Sequence, residues 1–63
     1  MNQIVKILME RDGMSQEDAQ QLFNDAKEVL DQLLANGDTD AAYDICEEYF
    51  GLEPDYLQEL IGF

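Results

Sequence analysis

The apolar positions of the chain fall into four groups, separated at Gly13, at Asn36-Gly37 and at Gly51. The longest group is Ala19, Leu22, Phe23, Ala26, Val29, Leu30, Leu33 and Leu34. At 100° per residue these side chains occupy an arc of roughly 140°, the stripe of an amphipathic helix. Ser15 precedes it as an N-cap, with a hydroxyl oxygen to accept from a free first-turn amide. Asp18 stands where a capping box carries Glu, and Met14 and Ala19 stand at the staple positions. Glu17 and Asp18 place negative charge at the positive end of the helix dipole. This second helix therefore runs from Ser15 to a stop at Asn36-Gly37.

Ahead of it, Ile4, Val5, Ile7, Leu8 and Met9 predict a helix over about 2–12, capped by Gly13. The β-branched trio Ile4, Val5 and Ile7 also suits a short strand. Helix is preferred because Leu8-Met9-Glu10-Arg11 continues with helix formers and nothing pairs with a strand. Beyond Gly37, Ala42, Ile45, Cys46, Tyr49 and Phe50 predict a third helix ending at Gly51. It starts in Asp38-Thr39-Asp40, where a side-chain oxygen is expected to cap it. A short fourth helix is expected from about Pro54 to Ile61, with proline at its first position. Leu52 and Leu57 form a second staple around Glu53, and Tyr56, Leu57, Leu60 and Ile61 face inward. Gly62-Phe63 closes the chain. Loops of two to four residues make consecutive helices neighbours. The expected fold is all-α: one domain over 1–63, a compact bundle of three to four short helices around a long central second helix.

Composition narrows what such a bundle does. A chain of 63 residues buries little core, and domains of this size often rely on a disulfide, a metal or a second subunit. One cysteine and no histidine leave helix packing or self-association. The cluster Ile4 to Met9 is too short for a bilayer and is broken by Lys6. A lone thiol with no secretory leader points to a reducing cytoplasm.

Charge changes the picture most. The net charge is −12, from 15 acidic and 3 basic residues. Lys6, Arg11 and Lys27 all lie in the first 27 positions, against Glu10, Asp12, Glu17, Asp18 and Asp25. Residues 28–63 carry Glu28, Asp31, Asp38, Asp40, Asp44, Glu47, Glu48, Glu53, Asp55 and Glu59 with no basic residue among them. Such a field repels nucleic acid and anionic membranes and attracts basic surfaces.

The candidate chemistries are few. Cys46 lies in an apolar face among acids, with no histidine to activate it, which reads as core packing. Paired carboxylates for acid–base work need a pocket that a chain this small has little room to form. Asn36 through Glu47 places oxygens at several EF-hand positions. It has Asn36 where the loop wants Asp, however, and Ala41 where the turn wants Gly. No nucleophile, base or metal constellation assembles, so neither catalysis nor a cofactor is expected.

The acidic face itself remains. Asp40, Asp44, Glu47 and Glu48 recur three or four apart, where like charges destabilise a helix. The plain reading is a solvated face. The charge nevertheless exceeds the magnitude of about 2–8 that suffices for a small domain. Tyr43, Tyr49 and Tyr56 lie between the carboxylates, either as interface anchors or as lids on the core. The candidate partner-binding set is therefore Asp40, Tyr43, Asp44, Glu47, Glu48, Glu53, Asp55, Tyr56 and Glu59.

The runs Leu8-Met9-Glu10-Arg11-Asp12-Gly13-Met14-Ser15, Asn36-Gly37-Asp38 and Tyr49-Phe50-Gly51-Leu52-Glu53-Pro54-Asp55-Tyr56-Leu57 resemble small acidic helical proteins of phages and prophages. That resemblance implies an inhibitor that mimics nucleic acid. The expected partner is a protein with a basic surface, such as a nucleic-acid-binding enzyme. The alternative is a self-associating adaptor, a homodimer formed through Ile4, Val5, Ile7, Leu8 and Phe63, with a merely solvated acidic face.

Overall fold

Asn2 and Ser15 start the first two helices in the same way, each with extended backbone and a side-chain oxygen over the first turn. Asn2 Oδ1 accepts from the Ile4 amide at 2.7 Å, and Ser15 Oγ accepts from the Asp18 amide at 3.1 Å. The computed structural model describes residues 2–61, so the expectations for Gly62 and Phe63 lie outside the described residues. The first helix, α1, is Gln3–Asp12, and the second, α2, is Gln16–Ala35. At Gly13 the backbone turns left-handed, and the amides of Gly13 and Met14 both donate to the Leu8 carbonyl. At the end of α2, Gly37 has φ 79°. Its amide donates to Leu34, and the Asp38 amide donates to Leu33 at 2.8 Å. These two bonds close a Schellman motif that needs a residue tolerant of positive φ.

The third helix departs from expectation at both ends. Its α-helical part, α3, is Thr39–Ile45, and Asp38 makes no side-chain cap. Asp38 is also the closing residue of the α2 turn, and its ψ of 65° differs from the 142° and 161° of the two working caps. Its carboxylate is thus not set over the α3 amides. From Cys46 to Phe50 the chain widens into a π-helical turn, ended by Gly51 at φ 64°. A 3₁₀ turn at Pro54–Tyr56 then leads into α4, Leu57–Ile61. Glu53 supplies its carbonyl to the Tyr56 amide but no side-chain cap. Among the described residues there is no strand.

The long helix α2 is central and touches α1, α3, the π turn and α4. Twenty helical residues extend about 30 Å, which sets the 33 Å long axis of the molecule. The radius of gyration is 11.1 Å, against about 10.6 Å expected for a compact chain of this length. The core joins Ile4, Val5 and Leu8 of α1 to Ala19, Phe23, Ala26 and Leu30 of α2. Ala42, Ile45, Cys46 and Phe50 cover it from one side, and Leu57 and Leu60 from the other end of the chain.

Two residues assigned to the core stripes are exposed. On α2 the fully buried row spans only about 60°. Leu22, Val29 and Leu33 flank it half-buried, and Leu34 is 41 % exposed. Leu34 lies off the centre of that row in the last turn, where Asn36-Gly37 already carries the chain away. On α4, Leu57 and Leu60 take the core side, which rotates Ile61 roughly 70° off their mean direction and leaves it 37 % exposed.

Candidate interaction surface

The acidic surface is built on the least regular part of the chain. Like charges along α3 and the π turn oppose helix formation, so these turns depend on what they bury. Ala42, Ile45, Cys46 and Phe50 provide that burial on one side. Asp40, Tyr43, Asp44, Glu47 and Glu48 are consequently exposed on the other. Asp44, Glu47 and Glu48 share one shallow depression. Glu47 also borders a second with Gly51, Leu52, Glu53 and Pro54. Asp55, Tyr56 and Glu59 line a third with Gln3 and Gln58. These carboxylates therefore follow one another from α3 around the Gly51 bend to α4. Asp40 stands apart from the depressions, in the first turn of α3.

The three tyrosines separate. Tyr49 and Tyr56 are half-buried against the core, Tyr49 with its ring centroid 6.4 Å from that of Phe50. Tyr43 is 54 % exposed. It faces Pro54, Asp55, Leu57, Gln58 and Ile61 across a groove of about 500 Å³. Glu59 is half-buried and tied down. Asn2 Nδ2 donates to its backbone carbonyl at 3.1 Å and to its carboxylate at 3.5 Å.

One basic residue reaches this half of the chain, contrary to the separation seen along the sequence. Arg11 donates from Nη2 to the carbonyl of Phe50, at the negative end of the π turn. The same guanidinium pairs with Asp12 through Nε–Oδ1 at 2.9 Å and Nη2–Oδ2 at 2.8 Å. That hydrogen bond holds the Asp12 carboxyl below its usual range and raises Arg11. The charge of Arg11 is thus shared with Asp12, and this is the one ion pair among the described residues. Sequence spacing had no signal for a contact across 39 positions.

A larger depression, about 630 Å³, lies elsewhere, on Gln16, Glu17, Asp18, Gln20, Gln21 and Asn24 of α2. It is the polar side of a single helix. Two of its amides are already engaged, Gln20 with Asn24 and Gln21 with Asp25. Cys46 is fully buried, and burial pushes its thiol up, so at neutral pH it is a protonated apolar group. No three His, Cys, Asp or Glu side chains among the described residues are grouped to hold a metal ion. No helix among them is long and apolar enough to cross a membrane. No family model, curated protein or solved structure matches the chain.

Proposed function

We propose that this chain is a non-catalytic binding protein whose acidic face occupies a basic surface of a partner protein, such as the nucleic-acid site of an enzyme. The observation that carries the reading is the run of exposed carboxylates from Asp40 to Asp55, which no basic side chain pairs among the described residues. Like charges placed this way destabilise their own helix. A basic partner surface relieves that repulsion on binding, and the potential speeds encounter. Mimicry of nucleic acid follows from the same physics, because proteins that hold nucleic acid present Lys and Arg to a line of negative charge.

The test starts with affinity capture by the immobilised chain, eluted along a salt gradient, followed by assay of the purified partner. The chain is expected to displace nucleic acid from that partner, with affinity falling steeply as salt rises. Reversing Asp44, Glu47 and Glu48 to lysine should weaken binding and leave the circular dichroism spectrum unchanged. An affinity indifferent to salt and to the triple reversal sinks the reading.

A further inference from the structure

Three large hydrophobic residues are exposed among the described residues, and two of them, Tyr43 and Ile61, meet across one groove. They come from α3 and α4, 18 positions apart. Scattered single exposures are ordinary, but convergence of two elements on a shared apolar lining is not scatter. Leu57, almost buried, and Pro54 complete the lining. Asp55 and Gln58 are its polar members. Asp40 stands one helical turn before Tyr43, and Asp44 follows it directly. None of Lys6, Arg11 or Lys27 lines the groove.

We propose that this groove seats the apolar anchor residues of a basic amphipathic segment of another protein. The inference rests on the acidic-face reading and adds to it an apolar contact that a polyanion mimic does not need. Charge selects the occupant. A second copy of this chain would bring a second net charge of −12 to an acidic rim. Nucleic acid is repelled for the same reason. A segment with Leu, Ile or Phe along one side and Lys or Arg beside them satisfies both features. Its apolar side chains cover Tyr43, Leu57 and Ile61, and its cations face Asp55 in the lining and the exposed carboxylates that continue beyond the groove. The groove is open to solvent, so it receives side chains of a docked segment rather than enclosing a small molecule, which needs most of its surface buried. Tyrosine suits an anchor role because it offers a large rigid contact at little entropic cost.

The probe is a synthetic peptide of about 18 residues with Leu at helical i, i+3, i+4 spacing and Lys elsewhere. A second peptide replaces every Leu with Ser. Binding to the full chain is followed by calorimetry and by amide and methyl chemical shifts. The amphipathic peptide is expected to shift Tyr43, Leu57 and Ile61. Tyr43→Ser and, independently, Ile61→Ser should weaken it about tenfold, while leaving the Lys/Ser peptide unaffected. Both positions are exposed, so the fold survives, as circular dichroism will verify. Equal binding of the two peptides with no effect of either variant overturns the groove and leaves the acidic face standing. Shifts centred on Leu34 also overturn it. So does tighter binding by Phe63→Ala, which would make the chain's own end the occupant. If neither peptide binds at low salt, the acidic-face reading falls as well.

Discussion

Both helices of residues 2–35 begin on a side chain that accepts from the backbone, whereas neither α3 nor the turn at Pro54–Tyr56 does. The first region carries regular α-helices of 10 and 20 residues. The second is broken into a seven-residue helix, a π turn, a 3₁₀ turn and a five-residue helix. Isolated helices that short do not persist in water. The second region therefore takes its shape from outside itself. Its apolar residues bury against α2, and two side chains of the first region hold its carbonyls: Arg11 that of Phe50 and Asn2 that of Glu59. A segment supported this way is free to devote its outer side to charge, because its conformation does not depend on that side.

The comparison breaks most directly at Phe50, whose side chain is among the largest fully buried ones. Phe50→Ala should cost about 3–5 kcal/mol, a large share of the stability of so small a domain, read by urea unfolding. If α3 and α4 stood on local interactions, the loss would be far smaller. A finer contrast lies at the caps. Ser15→Ala should cost about 1 kcal/mol, and Asp38→Ala close to nothing, since Asp38 caps no amide. Equal losses at the two positions would erase the distinction between the regions. Smaller than the Ser15 loss is the effect of Asp44→Lys, which replaces a like-charge neighbour of Asp40 with an attractive one four residues on. It should raise stability by about 0.2–0.5 kcal/mol, a gain that fades in high salt. A thermal shift measured at two salt concentrations distinguishes this from a packing change.

The stops at Gly13, Gly37 and Gly51 were legible in the chain because positive φ is a local demand that glycine meets. The Ser15 cap and the buried row of α2 were legible for the same local reason. The π turn was not, since Ala42, Ile45, Cys46, Tyr49 and Phe50 keep the spacing of an ordinary helix. The cap expected from the Asp38-Thr39-Asp40 cluster did not form, because the residue at the cap position, Asp38, both finishes one helix and starts another. Of the surface, the acidic residues themselves could be read from the sequence, but the Tyr43–Ile61 groove arises only when α3 packs against the 3₁₀ turn that leads into α4. Arg11 shows the same limit: a separation of charge along the chain is not a separation in space.

Asn2 has a further consequence through its contact with Glu59. Its side chain starts α1 with one atom and holds α4 with another, so the path of the chain is nearly a closed ring. Among the described residues, the start of α1 and the backbone of α4 thus lie beside each other. A circularly permuted form opened at Gly37, between α2 and α3, would keep every helix of the described residues intact. Covalent closure of a ring of this length removes enough unfolded-chain freedom to be worth about 4 kcal/mol.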